Sequence, residues 1–332
     1  MKNTKKALII VLCLCLVAAL AACAGNKEQE TGTTASTTQK QEEAGSELSL
    51  SVENTVENYA DFSLFKITTG KKVTASMNGG IYYENKKAGE TYVDVVLDLT
   101  NTSANAIESE SIVALSAVNS AGVEYKCNLY AVETDNSTSL SQYESISPLS
   151  KVRMHCAVSV PENETDLTLN LAVNGKIFSC AYNVGEAVSN VKVIKAGEEI
   201  EEEDFAKMVF KGIEYTSDLL PSNTNGAYSH YEVDNKENVY LVARFDITNY
   251  ASSDKKCDTF AGVKATYMDK YTYTGFVVVE DEDEKGFSSY ESVSPLMTRH
   301  FYYLIEVPKT VSSNPVTLTI SFNGQEYAFT GK

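Results

Sequence analysis

The chain has 332 residues, of which 43% are hydrophobic and 22% are charged, and its formal net charge is −17. These proportions exclude a polytopic membrane protein and a wholly disordered chain. The excess of acidic residues argues against a basic nucleic-acid face, so we expect no nucleic-acid partner. Only three histidines and no tryptophan are present, which leaves little material for histidine-based catalysis.

The N-terminus has the features of a targeting signal. Three early lysines precede an uncharged apolar run over residues 7–20, which is shorter than the about 20 residues of a membrane-spanning helix. Together with the Leu20-Ala21-Ala22-Cys23 sequence that closes it, the segment resembles a bacterial lipoprotein signal with its lipobox. The resemblance implies a signal peptide over residues 1–22, a lipid on Cys23, and anchoring at the extracytoplasmic face of the cell membrane. An ordinary secretory signal is the alternative.

Residues 23–47 are predicted to comprise the lipidated cysteine and a disordered tether. The segment is rich in Gly, Thr, Ser, Gln and Glu and has almost no large apolar side chain, so it cannot bury enough surface to fold. A flexible tether of this length reaches about 25–30 Å.

The remainder is predicted to be β-rich, because it lacks convincing helical periodicity and is rich in β-branched and aromatic runs. In its first half we predict strands near 64–68, 72–77, 80–84, 91–100, 111–119, 123–131, 151–160, 166–173 and 176–182. Closely spaced strands without crossover helices favour an antiparallel sandwich.

An internal repeat divides this β-rich part. Residues 141–149 (SQYESISPL) recur as residues 288–296 (SSYESVSPL), with seven of the nine positions identical. Four further landmarks keep nearly the same offset: Asp98-Leu99-Thr100-Asn101 with Asp246-Ile247-Thr248-Asn249, Val160-Pro161 with Val307-Pro308, Asn174-Gly175 with Asn323-Gly324, and Asp61-Phe62 with Asp204-Phe205. We therefore predict two duplicated domains, over residues 48–186 and 187–332, and a type I′ hairpin at each Asn-Gly pair.

The order of these landmarks resembles a family of uncharacterised lipoprotein domains with an immunoglobulin-like sandwich fold, common in Gram-positive bacteria. The motifs are a long strand ending in Asp-x-Thr-Asn, a polar-Gly-x-x-Tyr hairpin, a Ser-Pro-Leu turn and a strand ending in Val-Pro. The second copy lacks the glycine of the hairpin motif. The resemblance implies the fold and a surface location, and it implies no activity or cofactor.

The cysteines after the signal do not form a disulfide framework. Cys156 shares one strand face with Met154, Val158 and Val160, and Cys180 lies where the second copy has Phe329. We expect both to be buried free thiols, with a Cys156–Cys180 bridge as the alternative.

The three histidines, His155, His230 and His300, are expected at the surface or on edge strands. His155 should face outward beside Arg153. Because no zinc-ligand spacing is present, we expect no metal at these residues.

Two acidic runs, over residues 198–204 and 280–284, raise the question of calcium. Alternating carboxylates can bind Ca²⁺, but the central glycine and the distal glutamate of a calcium loop are missing. We expect solvated loops.

The repeated Tyr-Glu-Ser-x-Ser-Pro-Leu segment has two interpretations. It is a turn in which Pro fixes φ and Leu begins the next strand, or it is a binding loop that presents Tyr143 and Glu144, and Tyr290 and Glu291. The structural interpretation is favoured, and these four residues remain the candidate binding positions.

The sequence predicts a lipid-anchored, non-enzymatic surface protein that binds an unknown protein or envelope ligand. No nucleophile–base combination points to catalysis, and no catalytic residue, metal or cofactor is predicted. The alternatives are a cell-envelope hydrolase or its accessory factor, and a solute-binding lipoprotein with two α/β lobes.

Overall fold

A computed structural model describes residues 46–77, 81–134, 137–268 and 270–332. The predicted signal peptide, Cys23 and almost all of the tether lie outside the described residues. The first strand, Ser46–Glu47, already falls within the predicted tether, because it pairs with a later strand of the first sandwich.

Among the described residues, the first sandwich contains fifteen strands, most of them antiparallel. They are β1 (Ser46–Glu47), β2 (Asn54–Val56), β3 (Ala60–Gly70), β4 (Lys72–Thr74), β5 (Tyr82–Glu84), β6 (Glu90–Asn101), β7 (Ile107–Glu108), β8 (Ala114–Asn119), β9 (Glu124–Thr134), β10 (Ser139–Ser141), β11 (Ser145–Ile146), β12 (Lys151–Pro161), β13 (Asp166–Val173), β14 (Lys176–Asn183) and β15 (Val188–Ser189). One layer has the order β1-β14-β13-β8 and the other β9-β12-β6-β3-β15. Strand β9 joins the layers, since its start pairs with β8 and its remainder with β12.

The second sandwich repeats this arrangement, and its described part contains fifteen further strands. They are β16 (Lys192–Val193), β17 (Glu199–Glu202), β18 (Ala206–Thr216), β19 (Asp218–Leu219), β20 (Tyr231–Glu232), β21 (Asn238–Asn249), β22 (Lys255–Lys256), β23 (Ala261–Tyr267), β24 (Tyr271–Thr274), β25 (Phe276–Glu280), β26 (Phe287–Ser288), β27 (Ser292–Val293), β28 (Thr298–Pro308), β29 (Val316–Phe322) and β30 (Gln325–Gly331). Its layers are β16-β30-β29-β23-β24 and β17-β18-β21-β28-β25-β26. The joining strand is broken at Gly275, where the backbone passes so close to Leu304 that no side chain fits.

The predicted all-β sandwich fold is confirmed. Two predictions of local structure had different outcomes.

Both Asn-Gly pairs have positive φ at both residues, 45° and 82° in the first sandwich and 47° and 79° in the second, as a type I′ turn requires. By contrast, the start of the strand predicted at 111–119 belongs to a short α-helix, α1 (Ser109–Ile112). Two 3-10 helices, Cys257–Thr259 and Val311–Ser313, lie in the second sandwich.

The pairing register corrects one landmark of the repeat. Asn101 pairs with Ala60 in the first sandwich, and its repeat counterpart, Asn249, pairs with Ala206 in the second. The residue before each alanine is Tyr59 or Phe205, so Tyr59 is the counterpart of Phe205 and the proposed match of Asp61-Phe62 was wrong by three residues. Short Asp-aromatic pairs fix a register weakly, whereas hydrogen-bonded partners fix it directly.

Each sandwich has its own core. The first draws its buried residues from positions 48–182 and the second from positions 194–327. The sheets divide between β15 and β16, because β15 pairs with β3 of the first sandwich. The described residues of both sandwiches belong to one compact unit.

The all-β architecture also bears on the alternatives. The described residues do not form two α/β lobes, so the fold expected of the solute-binding alternative is not found. In the described part of the chain, no helix has the length and apolar character needed to cross a membrane.

Candidate functional site

The predicted binding residues lie on equivalent turns of the two sandwiches. The Tyr143 side chain is 70% exposed and that of Tyr290 is 93% exposed, whereas Glu144 and Glu291 are half-buried. The Glu144 carbonyl accepts a hydrogen bond from the N–H of Ser109, and the Glu291 carbonyl is bound in the equivalent way. The tyrosines are therefore presented to solvent while the glutamates hold the turn in place.

A buried asparagine fixes each turn. The Asn101 Nδ2 donates to the carbonyl of Ile146 at 2.7 Å, and the Asn249 Nδ2 donates to the carbonyl of Val293 at 2.8 Å. The Asn101 carbonyl also accepts the N–H of Leu149 at 2.7 Å. This clamp gives the repeated segment a structural role. Asn101 and Asn249 are the last residues of the two Asp-x-Thr-Asn motifs, so the sequence marked both of them. Their hydrogen bonds to the Ser-Pro-Leu turns are seen only in the structure.

The prediction that Leu begins the following strand was wrong. Leu149 and Leu296 lie in the turns with φ values of 62° and 63°, and the strands begin only at Lys151 and Thr298. Both leucine side chains are more than three-quarters exposed, at 80% and 77%. The left-handed conformation is uncommon for a residue with a Cβ, so an exposed leucine there is costly for stability. Each sandwich thus displays one tyrosine and one leucine on the same turn.

His155 is fully buried, which corrects its predicted surface position. Its neighbours Met154 and Cys156 face the core, so the prediction that the ring faces the opposite side of the sheet was right. That opposite side is covered, because segment 73–77 packs over it in a second apolar layer. The alternation of polar and apolar residues along a strand cannot show that another segment packs over the outer face of the sheet. The layer contains Val73, Ala75, Tyr92, Leu129, Ala131, Leu140 and Ala157.

Two carboxylates hold the buried histidine. The His155 Nδ1 lies 2.8 Å from Asp94 Oδ2, and its Nε2 lies 3.1 Å from Glu133 Oε1. Burial alone would lower the pKa of His155, but the charges of Asp94 and Glu133 and their hydrogen bonds raise it to about 9. Burial would likewise raise the pKa of Glu133, but His155 and hydrogen bonds lower it to about 2. The cluster is therefore a charged histidine between two carboxylates, with both ring nitrogens engaged.

The second sandwich keeps the carboxylate and loses the histidine. Glu280 occupies the place of Glu133, and its carboxylate accepts the N–H of Ser222 at 2.5 Å and the hydroxyl of Ser222 at 3.0 Å. In the first sandwich, Glu133 accepts the N–H of Ser76 at 2.7 Å. Tyr302 takes the place of His155 and donates its hydroxyl to Glu280 at 3.3 Å. A buried glutamate that ties a loop serine to the sheet is thus common to both sandwiches.

The other two histidines lie at the surface, as predicted. The His300 Nδ1 lies 2.7 Å from Asp246 Oδ1, and the His230 Nδ1 lies 2.5 Å from Asp218 Oδ1. Both rings are exposed. Each ring is hydrogen-bonded to a carboxylate on the surface.

Arg153 connects the two sandwiches at a contact that we call the junction. Its guanidinium lies over the Phe65 ring, 3.5 Å from the centroid, and its Nε donates to Asp98 at 2.9 Å. Its Nη1 lies 3.5 Å from Glu326 Oε1 of the second sandwich. Glu326 follows the second Asn-Gly hairpin, so this hairpin docks on the outer face of the first sandwich.

Lysines from both sides complete the junction. The Lys66 Nζ lies 3.3 Å from Glu326 Oε1, and the Lys264 ammonium of the second sandwich donates to the Ser76 carbonyl of the first. Burial would raise the pKa of Glu326, but Lys66, Ser76 and Arg153 hold it below its usual value. The junction is therefore polar and buried, and Glu326 pairs there with cations of the first sandwich.

A glycine allows close packing beside these charges. Met77 of the first sandwich lies against Gly262 of β23, where an added Cβ would be 2.9 Å from the methionine Cγ and Sδ. The position equivalent to Gly262 in the first sandwich is Ala114. This contact could not be predicted from the sequence, because a single Gly in a β-rich chain can have several structural roles.

A cleft of about 810 Å³ lies next to this contact and has walls from both sandwiches. The first sandwich contributes Met77 and Ser137, and the second contributes the aromatic residues Phe276 and Tyr290. The remaining described lining residues are Thr138, Phe205, Asp258, Thr259, Phe260, Ala261, Gly262, Val263, Thr274, Gly275, Val277, Ser289, Tyr303, Ser321, Asn323 and Gly324. Aromatic faces can stack on a ligand, and hydroxyl and amide groups can orient it by hydrogen bonds. Of the predicted binding residues, Tyr290 lines this cleft, whereas Tyr143 and the two glutamates are not among its described lining residues.

The four cysteines in the described part of the chain are free thiols, so the alternative Cys156–Cys180 bridge is not formed. Cys156 is in the first core, and Cys180 packs against that core while remaining half-buried. Burial raises the pKa of Cys180 to about 11, and burial raises that of Cys127 to about 12. Such thiols are poor nucleophiles.

The acidic runs do not assemble a metal centre in the residues described. Across residues 46–77, 81–134, 137–268 and 270–332, no group of three or more His, Cys, Asp or Glu residues could hold a metal ion. Carboxylates of the second run have other partners, since Glu282 pairs with Arg299 at 3.1 Å and Glu280 is bound to Ser222.

No protein-family model and no curated protein matches the chain. Among solved structures, it is similar to an uncharacterised β-sandwich protein from Clostridium difficile 630. The two are 29% identical, the match covers 43% of this chain and 95% of that protein, and the TM-score is 0.40. That protein is described only as a β-sandwich, so it suggests no ligand or activity.

Proposed function

We propose that the protein is a lipid-anchored, non-enzymatic binding protein at the extracytoplasmic face of the membrane, and that the cleft between its two sandwiches holds the ligand. One observation carries the proposal, namely the cleft of about 810 Å³ with walls from both sandwiches. The volume falls within the range of about 300–1,000 Å³ that is typical of small-molecule sites.

The junction supports the proposal because it holds the walls in place. Arg153, Lys66 and Glu326 form buried ion pairs across the two sandwiches, and Met77 packs on Gly262 at the cleft itself. A site that is already formed loses less entropy on binding than one that must be assembled.

The side chains of the cleft support a binding role. Tyr290 is almost fully exposed at its edge, and Phe276 is also accessible. Their rings offer contact area with few rotatable bonds, which is typical of recognition surfaces.

The lipid anchor is supported by the Leu20-Ala21-Ala22-Cys23 sequence after its apolar run. Two or more acyl chains make a stable anchor, since each buried CH₂ contributes about 0.8 kcal/mol. Cells that produce the chain should incorporate radiolabelled palmitate into it, and Cys23→Ala should abolish the label. Equal labelling of the Cys23→Ala variant would contradict the anchor.

Binding is tested with the purified lipidated chain and cell envelopes isolated from the producing bacterium. We expect Tyr290→Ser and Phe276→Ser each to weaken envelope binding by about tenfold, the equivalent of about 1.4 kcal/mol. Tyr143→Ser is the matched control, because it removes an exposed tyrosine from the equivalent turn outside the cleft. Equal binding by all three variants would overturn the assignment of the cleft.

A further inference from the structure

One serine connects the buried histidine cluster to the contact between the sandwiches. Ser76 is buried, and each of its polar groups has a charged partner. Its N–H donates to Glu133 Oε1 at 2.7 Å, and its carbonyl accepts the Lys264 ammonium of the second sandwich. Its hydroxyl lies 3.5 Å from Arg153 Nη1 and hydrogen-bonds to Glu326. Ser76 is therefore bound on one side to the histidine cluster and on the other to the second sandwich.

The residue after this serine forms part of the cleft wall. Met77 packs on Gly262, and both residues line the cleft. The Met77 N–H donates to the Ser137 carbonyl at 2.8 Å, and Ser137 lines the cleft as well. Because Ser76 and Met77 share a peptide bond, a displacement of Ser76 also displaces this wall.

The second sandwich forms the equivalent connection without a charged ring. Ser222 donates its N–H to Glu280, and Tyr302 is the neutral donor to the same carboxylate. The pairing register places Val242 at the position of Asp94. Ser222 is exposed, whereas its counterpart in the first sandwich is buried against the second sandwich. The connection therefore forms without a histidine, and the histidine occurs in the sandwich whose serine carries the contact between the two.

The His155 ring can donate to both of its carboxylates only while it is charged. Its Nδ1 lies 2.8 Å from Asp94 Oδ2, and its Nε2 lies 3.1 Å from Glu133 Oε1, the same oxygen that accepts the Ser76 N–H. A neutral imidazole has one N–H and one lone pair, and the shorter contact favours keeping the proton on Nδ1. The lone pair on Nε2 then faces the Glu133 carboxylate. The repulsion between them displaces Glu133 and, with it, Ser76.

We propose that the proton on His155 controls the first-sandwich wall of the cleft through Glu133 and Ser76: the charged ring holds Met77 on Gly262, and release of the proton to solvent loosens this contact. As a regulation of the cleft, the inference rests on the proposed function, but the coupling itself requires no ligand. Burial lowers the pKa of His155, and the two carboxylates raise it to about 9. The wall should therefore loosen as the pH rises through about 9.

Other titratable groups surround His155, and each has to be separated from it. On the same strand, Arg153 keeps its charge at every accessible pH. Burial raises the pKa of the Cys127 thiol on β9 to about 12, and burial also raises the pKa of Tyr92 on β6. Lys264 is the competing group, because burial lowers its pKa and its ammonium reaches segment 73–77. A pH profile alone does not distinguish Lys264 from His155, so variants are needed.

Methyl NMR of the full chain tests the coupling. The chain has six methionines, which are labelled with ¹³C at the methyl group, and Met77→Leu assigns the Met77 signal. We expect this signal to titrate with a midpoint near pH 9 in the parent and to show no titration between pH 7 and pH 10 in His155→Gln. Met208, buried in the second core, is the internal control and should not titrate. The same titration in His155→Gln would assign it to Lys264 and overturn the proposal, as would a parent signal that does not titrate.

A second variant keeps the histidine and changes its partner. Glu133→Gln retains a carbonyl oxygen for the Ser76 N–H but removes the charge that helps to raise the pKa of His155. The midpoint of the Met77 titration should therefore fall by about one pH unit. An unshifted midpoint would contradict the proposal.

Envelope binding separates the regulation from the proposed function. If the cleft is the binding site, the parent should bind isolated envelopes at least about threefold more weakly at pH 10 than at pH 7, and His155→Gln should show a smaller ratio. Because both chains meet the same envelopes, pH effects on the envelope itself cancel in this comparison. Equal ratios would overturn the regulation of the cleft. A parent that binds no envelope at either pH would refute the proposed function, and the Met77 titration would still decide the coupling.

Discussion

Arg153 of the first sandwich and Glu326 of the second form a buried ion pair, with 3.5 Å between Nη1 and Oε1 and with side chains that are only 6% and 4% exposed. Such a pair is costly to bury, but it becomes far more costly when one member is removed. Lys66 also contacts Glu326, so two cations share this carboxylate at the contact between the sandwiches, and Asp98 supplies a second carboxylate to Arg153.

Glu326→Gln should destabilise the protein by about 3 kcal/mol, because it removes the buried carboxylate that pairs with Lys66 and leaves Arg153 with Asp98 alone. Urea unfolding gives the change in the free energy of unfolding. Glu199→Gln is the control, since it breaks only the surface pair with Lys207 and should cost less than about 1 kcal/mol. Equal changes in the free energy of unfolding for the two variants would show that the junction pair stabilises the protein no more than a surface pair does.

His155 should make the stability of the protein depend on pH. Its folded-state pKa, raised to about 9, exceeds the unfolded value of about 6.5. Its contribution is therefore fully present below about pH 6.5 and is lost as the pH rises through about 9. Between pH 6 and pH 8 we expect a loss of about 1–2 kcal/mol in the free energy of unfolding.

The variant His155→Gln isolates this contribution. It should be less stable than the parent at pH 6, and its stability should change little between pH 6 and pH 8. His230→Gln is the control, because His230 is a surface residue with a raised pKa due to its hydrogen bond with Asp218, and the dependence from His155 should persist in it. An unchanged pH dependence in His155→Gln would refute the assignment.

Gly262 should tolerate no side chain while Met77 is present. We expect Gly262→Ala to cost about 1–3 kcal/mol, because the new Cβ would lie 2.9 Å from the methionine side chain. In a double-mutant cycle with Met77→Ala, the combined cost should be smaller than the sum of the single costs, since the shorter side chain removes the overlap. Strict additivity of the free energies of unfolding would count against the contact.

Leu149→Gly should stabilise the protein by about 1 kcal/mol. The backbone at Leu149 is left-handed, with φ of 62°, and glycine adopts this conformation without the steric cost. Leu149→Ala is the control, because it removes the exposed side chain and keeps the Cβ, and it should leave the free energy of unfolding nearly unchanged. A loss of stability in Leu149→Gly would mean that the side chain, and not the backbone, stabilises the turn.

Features set by local chemistry could be predicted from the sequence. The Asn174-Gly175 turn needs positive φ at both residues, and the alternation on β12 places Met154 and Cys156 in the core, so both followed from the residues themselves. The seven identical positions of the repeat likewise predict two duplicated domains. These features do not depend on which distant segments of the chain are in contact in the folded protein.

Features that depend on distant parts of the chain could not be predicted in this way. His155 was expected at the surface because nothing near it in sequence shows that segment 73–77 covers its face of the sheet. Leu149 was expected to start a strand, because its left-handed backbone depends on the clamp by Asn101. Gly262 and Glu326 have their roles only where the two sandwiches meet, and the sequence gives no sign of that contact.

The central claim is that the junction joins the two sandwiches into one unit and so fixes the walls of the cleft. Differential scanning calorimetry of the full chain tests it most directly. We predict a single cooperative transition with a calorimetric enthalpy close to the van't Hoff enthalpy, and a second transition that separates in Glu326→Gln. Two independent transitions in the unmodified chain, with a calorimetric enthalpy about twice the van't Hoff value, would contradict the claim.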